Sequence, residues 1–91
     1  MSMDNHRSAE ELAIQLKEAA TKVQVGSHYV HYKNPDSLYE VKELGILEAD
    51  DSVCVIYRSL RDNKPIFVRP LSEWVEMVEW QGKKLQRFRK A

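Results

Sequence analysis

Residues 53–71 read VCVIYRSLRDNKPIFVRPL, and this stretch decides the fold. Its first part, VCVIY at 53–57, is an apolar run of residues that favour β-strands. A polar segment containing Asp62 and Asn63 supplies turn chemistry, and the strand pattern resumes at 65–68. The stretch therefore predicts a β-hairpin. Because a hairpin is at best marginally stable alone, it needs other strands to cover it, and the sequence provides them both before and after this stretch.

The length and composition describe one small domain. The chain has 91 residues, of which 43% are hydrophobic and 31% charged, an ordinary balance for a globular protein. No apolar run approaches the roughly 20 residues of a membrane helix, and the N-terminus lacks the apolar core of a signal peptide. The single cysteine, Cys54, excludes an intramolecular disulfide. We therefore expect a cytoplasmic protein without membrane association.

The net charge of zero conceals a segregation of charge along the chain. Residues 1–57 carry five basic and ten acidic side chains, and residues 58–91 carry nine basic and four acidic ones. This layout could steer an anionic partner to the C-terminal half. The alternative, which the neutral overall charge favours, is that the two halves attract each other within the fold.

A helix precedes the strand-rich region. Residues 1–7 are polar and predicted to be disordered, and a helix is predicted over 8–25, with a capping box at its start and Gly26 as its stop. Apolar residues at helical spacing form one stripe: Leu12, Leu16, Ala19, Ala20 and Val23. An isolated helix of this length is marginal in water. The stripe should therefore dock on the sheet or on a second copy, which would give a homodimer through the helix.

After Gly26 the apolar period changes from about 3.6 to 2, which indicates strands. Strands are predicted over 28–33, 38–48, 53–58, 66–69, 75–80 and 83–89, with one helical turn at 71–74. Short strands at this spacing favour a small, bent antiparallel barrel over residues 26–91. The predicted fold is mainly β, or α+β by content: an SH3-like antiparallel β-barrel preceded by one amphipathic α-helix. An OB-like barrel is the alternative.

The sequence lacks the common motifs of enzymes and metal sites. It has no Gly-rich phosphate loop, no HExxH and no paired CxxC. His28 and His31 are three apart, so a strand places them on opposite faces, and nothing in the spacing completes a zinc site. We therefore expect no metal, no cofactor and no catalytic residues.

Aromatic and basic side chains interleave along the predicted strands. Aromatic rings can stack on a ligand while Lys and Arg contact its anionic groups, although a small core also needs several of the rings. Arg69 is held by the following Pro70 and could bind a carboxylate or phosphate through two donors. Alternatively, it could form an ion pair inside the fold, with Glu40, Glu43 or Glu73. The candidate ligand-binding residues are Tyr29, His31, Lys33, Arg69 and Trp74.

The C-terminal region is rich in basic residues, with five of them in positions 83–90. Such a patch suits RNA or DNA. A solvated edge strand with Leu85 and Phe88 packed inward explains the same residues. The candidate nucleic-acid contacts are Arg58, Arg61, Lys83, Lys84, Arg87 and Arg89.

Three short motifs occur in a fixed order: HYK at 31–33, VRPL at 68–71 and RF at 87–88. With them, residues 26–88 resemble a family of small, mostly bacterial domains of unknown function, numbered sixteen fifty-three. The resemblance implies a compact β-rich fold and an intracellular setting, and it carries no established activity. Residues 43–50 depart from the family pattern, and the N-terminal helix lies outside the match.

The sequence thus predicts a small, uncharacterised cytoplasmic binding module, without enzymatic activity, that contacts a protein or peptide through an aromatic–basic surface. Nucleic-acid binding through the basic C-terminal half is the alternative. A small enzyme is the second alternative, and it requires a pocket where His31 and Arg69 converge. A structure with these two side chains on opposite sides would exclude it.

Overall fold

An N-terminal helix, a second helix of one turn and two antiparallel sheets make up the described part of the fold. The computed structural model describes residues 7–61 and 63–91. The elements in chain order are α1 (Ala9–Ala20), β1 (His28–His31), β2 (Asn34–Leu47), β3 (Ser52–Ser59), β4 (Ile66–Pro70), α2 (Leu71–Trp74), β5 (Met77–Trp80), β6 (Lys83–Gln86) and β7 (Phe88–Lys90). The predicted mainly β fold with one N-terminal helix is confirmed. In the described part of the chain, no helix is long and apolar enough to cross a bilayer.

The larger sheet has five strands in the order β4-β3-β2-β1-β7, and the smaller sheet is the β5–β6 hairpin. All neighbouring strands are antiparallel. The hairpin predicted from residues 53–71 forms as β3 and β4, with Tyr57 opposite Phe67 and Val55 opposite Arg69. The other edge of β3 pairs with β2, so β3 has a partner strand on each side.

The predicted barrel is not closed. Within residues 7–61 and 63–91, no pairing joins β4 to β7, and β5–β6 pairs only with itself. β4 has only five residues and ends at Pro70, where the chain turns directly into α2, and β7 has only three, so the two edge strands are too short to close the sheet on itself. The likeness to an SH3 or OB barrel stays a prediction.

The core lies on one face of the five-stranded sheet, where α2 covers it. Trp74 is 1% exposed and stacks on Phe88, with ring centroids 3.7 Å apart and planes inclined by 2°. Tyr29 and Tyr57 meet Trp74 edge-on, with centroids at 5.4 and 4.8 Å. Edge-on aromatic pairs stabilise a core beyond the area that they bury. The aliphatic members of the same cluster are Val23, Val41 and Val55.

The capping box at the start of α1 forms as the sequence predicts. The Glu11 amide donates to the Ser8 hydroxyl at 3.1 Å, and the Ser8 amide donates to the Glu11 carboxylate at 2.9 Å. The helix ends at Ala20, with Thr21 as its C-cap, and is therefore shorter than the predicted 8–25. Thr21 and Val23 are β-branched, which weakens helix propensity beyond Ala20.

The helix packs on β2 and β3, so the sheet receives part of its apolar stripe. A homodimer through this helix stays a prediction. The predicted disordered segment, residues 1–7, lies outside the described residues except for Arg7. The Arg7 amide donates to the Asp51 carboxylate at 2.6 Å, and its guanidinium donates to the Asp51 carbonyl oxygen at 2.8 Å. These bonds tie the start of α1 to the β2–β3 turn.

Replacement of Trp74 tests the role of the aromatic core in stability. We expect Trp74→Ala to lower the free energy of unfolding by about 3–5 kcal/mol, because the stack on Phe88 and both edge-on contacts are lost. Met77→Ala is the control, since Met77 is 54% exposed, and we expect a change within about 0.5 kcal/mol. Urea unfolding followed by tryptophan fluorescence and circular dichroism measures both. Equal midpoints of urea unfolding for the two variants would contradict the role of Trp74 in core stability.

Candidate functional site

Arg69 lies near the end of β4 with its side chain on the core face of the sheet. Its cross-strand partner is Val55, which is fully buried in the core. Arg69 Nη1 donates to Glu73 Oε1 at 3.1 Å, so the ion pair considered from the sequence is present. Arg69 Nε is buried and has no hydrogen-bond partner among the described residues. One side of the guanidinium is therefore held by the protein, while another donor remains unsatisfied.

His31 ends β1 and is brought beside Phe88 by the pairing of β1 with β7. The two rings meet edge-on with centroids 5.0 Å apart. The Lys33 amide donates to His31 Nδ1 at 3.2 Å. Since Nδ1 accepts this bond, the neutral ring carries its proton on Nε2 and can donate from that nitrogen.

His31 and Arg69 line one cavity of about 240 Å³. Its other lining residues are Asn34, Tyr39, Tyr57, Phe67 and Phe88. The Arg69 guanidinium lies 5.7 Å from the centre of the Phe88 ring, within the range of a cation–π contact. The two side chains are thus not on opposite sides of the protein, and the condition that would have excluded a small enzyme is not met.

The charged side chains that act on His31 are positive. Burial lowers the pKa of His31 below its ordinary value of 6.5, and the charges of Arg69, Arg87 and Lys33 lower it further. A neutral His31 that donates from Nε2 and a charged Arg69 together form a donor pair for an anionic group. Four aromatic rings supply the apolar wall around that pair. The arrangement can hold a small ligand with one anionic end.

The other three predicted ligand-binding residues lie elsewhere. Tyr29 and Trp74 are in the core, 6% and 1% exposed, and the Tyr29 hydroxyl accepts a hydrogen bond from the Gln24 amide at 2.9 Å. Lys33 is exposed in the β1–β2 turn, with Nζ 5.7 Å from the ring centres of Tyr32 and Trp80. The structure therefore brings two of the five predicted residues, His31 and Arg69, into one cavity.

The predicted nucleic-acid residues are spread over several elements. Arg58 lies in β3, Arg61 follows that strand, and Arg89 lies in β7, while Lys83 and Lys84 lie in β6 of the smaller sheet. Within residues 7–61 and 63–91, the side chains of two of the six, Arg61 and Arg87, hydrogen-bond to other residues. Arg61 Nη1 donates to the Ser37 hydroxyl at 2.8 Å.

Arg87 is held more firmly than Arg61. Its Nη2 donates to Glu76 Oε1 at 2.7 Å, and its Nε donates to the Glu73 carbonyl oxygen at 3.1 Å. The bond to Glu76 raises the pKa of Arg87, so this side chain stays charged and paired. Nucleic-acid binding through this set stays a prediction.

A larger concave surface, about 530 Å³, lies between α1 and α2. Its rim carries Arg7 and Lys22, and its floor includes Val53, Leu71 and Val75. We place the candidate site in the smaller cavity, because two of the predicted ligand-binding residues, His31 and Arg69, line it. Across residues 7–61 and 63–91, no three His, Cys, Asp or Glu side chains are grouped as a metal site requires.

Asn34 and Phe88 were not among the predicted ligand-binding residues, although they line the cavity. Asn34 falls in a turn-like NPDS segment, yet it begins β2 opposite His31. Phe88 is 57 residues from His31 in sequence and becomes its neighbour only through the β1–β7 pairing. In the sequence, Phe88 is an apolar residue within a basic segment. This pattern predicts that its side chain is buried, but it does not predict which residue the side chain contacts.

Residues 27–90 match a family model described as a protein of unknown function (DUF1653). The chain belongs to the DUF1653 family. A crystal structure of a DUF1653 protein from Bordetella bronchiseptica is similar to it, with 29% identity and a TM-score of 0.62 over 74% of this chain and 86% of that chain. No curated protein matches the chain. The predicted family membership is confirmed, and the family description assigns no activity.

All residues that line the cavity lie within the DUF1653 match, whereas α1 precedes it. The candidate site thus belongs to the family domain. Its chemistry in this DUF1653 chain has to be inferred from the side chains themselves.

The pH dependence of stability tests the environment of His31. In the unfolded chain a histidine takes up its proton near pH 6.5, while folded His31 stays neutral to lower pH, so the unfolded state gains protons first. We therefore expect the free energy of unfolding to fall as pH drops below about 6.5, until the folded pKa is passed.

The measurement compares thermal midpoints at pH values of about 7.5 and 5.5. We expect the drop in midpoint to be smaller in His31→Gln than in the wild type. His28→Gln, which replaces an exposed histidine of the same strand, is the control and should keep the full drop. The same drop in His31→Gln as in the wild type would contradict the assignment. An NMR titration of the His31 ring provides a direct second measurement.

Proposed function

We propose that this DUF1653 chain is a non-enzymatic binding module for a small ligand that carries one anionic group. The anionic group is bound by Arg69 and His31, and the remainder of the ligand lies against the aromatic wall. One observation carries the proposal: a guanidinium held in place by Glu73 and a histidine line the same aromatic cavity.

The Arg69 guanidinium supports a ligand with an acceptor oxygen. Its Nη1 is held by Glu73 at 3.1 Å, while its Nε is buried and out of reach of a ligand. The side chain as a whole is 29% exposed, so a carboxylate or phosphate oxygen approaches the outer nitrogens of the guanidinium. Because the bond to Glu73 orders this side chain, binding costs little side-chain entropy.

The aromatic wall limits the size and shape of the ligand. Tyr57 contacts Phe67 with centroids 5.6 Å apart and rings inclined by 33°, and Tyr39 meets Phe88 edge-on at 6.0 Å. These rings leave a cavity of about 240 Å³, below the range of about 300–1,000 Å³ that drug-sized ligands occupy. A single planar ring with one carboxylate or phosphate matches both the volume and the wall.

The cavity also favours a second candidate, catalysis by a small enzyme, because His31 and Arg69 converge there. The hydrogen bond from Lys33 to His31 Nδ1 weighs against it. It leaves Nε2 protonated in the neutral ring, so His31 donates a hydrogen bond and does not take up a proton there. Binding requires only that donor, which is why we place it first.

A titration with simple probes tests the proposal. Benzoate and phenyl phosphate supply a ring with an anionic group, benzyl alcohol supplies a ring without charge, and inorganic phosphate supplies the charge without the ring. We expect one of the two aromatic anions to shift the backbone amide signals of His31, Phe67 and Arg69 in a two-dimensional NMR spectrum. We expect benzyl alcohol and inorganic phosphate to bind at least about tenfold more weakly.

Arg69→Gln should weaken binding of the aromatic anion by about 10–100-fold, because a hydrogen bond to a charged group contributes about 1.5–3 kcal/mol. Arg89→Gln is the matched control, since Arg89 is an exposed arginine in β7. Equal losses in the two variants would mean that the overall positive charge binds the probe, and the proposal would fail. Chemical change of the bound probe would favour the enzyme instead.

A further inference from the structure

The two edges of the five-stranded sheet differ in a way that matters for assembly. β7 ends the sheet on one side with Arg89 and Lys90, both exposed. Charged side chains of this kind keep an edge strand from pairing with another chain. β4 ends the other side with Ile66 and Val68, which are 53% and 61% exposed. The β4 edge therefore lacks the protection that β7 has.

Along the β3–β4 ladder, hydrogen-bonded pairs alternate with pairs that are not hydrogen-bonded. This alternation shows which backbone groups of β4 point away from β3. The Ser59 amide donates to the Pro65 carbonyl oxygen at 3.0 Å, so this opposed pair is of the hydrogen-bonded type. Such pairs recur at every second residue of an antiparallel ladder. Phe67 therefore directs its amide and carbonyl toward β3, while Ile66 and Val68 direct theirs to the open edge.

The free edge is short and has a definite end. Pro70 would be the next residue to present an amide there, and its nitrogen carries no hydrogen. α2 begins at Leu71 immediately afterwards. The open edge thus offers two complete backbone units, at Ile66 and Val68, with Phe67 midway between them.

We propose that two copies of this chain pair through β4, antiparallel and about a two-fold axis at Phe67. Ile66 of each copy then lies opposite Val68 of the other, and the two free backbone units of each copy form four hydrogen bonds. No like charges meet in this register, because Arg69 lies opposite Pro65 and Lys64 opposite Pro70. The strand is self-complementary, which is the requirement for an isologous two-fold contact.

Side chains on both faces of the sheet support the same arrangement. Ile66 and Val68 share the face opposite the core, where their β3 partners are Arg58 and Ile56. In the dimer the four apolar side chains of Ile66 and Val68 form one cluster across the axis. A foreign strand would need to bring equivalent apolar side chains, whereas a second copy already carries them.

The core face places Phe67 of one copy against Phe67 of the other, in a pair without direct backbone bonds, where side chains approach closest. Phe67 is 42% exposed and lines the candidate cavity. The second copy therefore adds a ring to the outer wall of each cavity, and the two cavities lie on either side of the axis. The dimer does not depend on whether the cavity binds an anion.

Analytical ultracentrifugation over concentrations from about 1 µM to about 1 mM tests the dimer, since an interface this small is of the transient class. We expect a concentration-dependent dimer in the wild type. Val68→Lys should weaken it at least about tenfold, because it places a charge on the pairing edge. Circular dichroism of this variant confirms that it folds. A protein that stays monomeric at every concentration would overturn the proposal.

Ile14→Lys separates this interface from one formed by the helix. Ile14 lies on α1 and is 57% exposed, comparable to Val68. We expect the dimer to persist in Ile14→Lys. A dimer that Ile14→Lys abolishes and Val68→Lys leaves intact would assign the interface to α1 and overturn the proposal.

A cysteine at the axis tests the register. Phe67→Cys should form a covalent dimer under mild oxidation, since two cysteines in such a pair have suitable separation for a disulfide. Val25→Cys is the control, at a position that is 45% exposed and precedes β1, and we expect it to react far more slowly. Both variants retain buried Cys54. Equal rates of crosslinking in Phe67→Cys and Val25→Cys would contradict the proposed axis. A β4 edge that pairs with added strand peptides but never with a second copy would also contradict it.

Discussion

The stack of Trp74 on Phe88 is the contact on which the rest of the structure depends. It joins α2 to β7, two elements that share no sheet pairing. Face-to-face stacking places two negative ring faces together, and this is less favourable than an edge-on or offset arrangement. The Arg69 guanidinium lies 5.7 Å from the Phe88 ring centre, where its positive charge offsets that repulsion. Arg69, which lines the candidate site, thereby also stabilises the core.

This arrangement fixes the side chains that shape the cavity. Phe88 is fixed by Trp74, and His31 is fixed against Phe88 by the edge-on contact at 5.0 Å. Arg69 is held by Glu73, which lies in the same helical turn as Trp74. His31 is thus positioned by a core residue, and Arg69 by a residue of the helical turn that carries Trp74. A binding site of this kind needs little ordering when its ligand arrives.

Local patterns in the sequence predicted the elements well and their arrangement less well. The β3–β4 hairpin, the capping box at Ser8 and the helical turn before Val75 all follow from residues close together in the chain. The closed barrel was not found, because closure depends on the lengths of the edge strands and on which distant strands pair, and neither is read from local patterns. Arg69 and His31 were selected for their chemistry, whereas Tyr29 and Trp74 proved to be core residues, since a ring suited to stacking is equally suited to burial.

The family domain and the folding unit do not share a boundary. The DUF1653 match begins at residue 27, yet Val23 has no exposed surface and belongs to the central cluster. The Gln24 amide donates to the Tyr29 hydroxyl, and the Gly26 amide donates to the Val41 carbonyl oxygen at 2.8 Å. A recombinant fragment cut at the homology boundary would lose a core side chain and leave two inward-facing acceptors without donors. The segment that is shared within the family is therefore shorter than the segment that folds as a stable unit. A fragment designed for experiments should keep the whole folding unit.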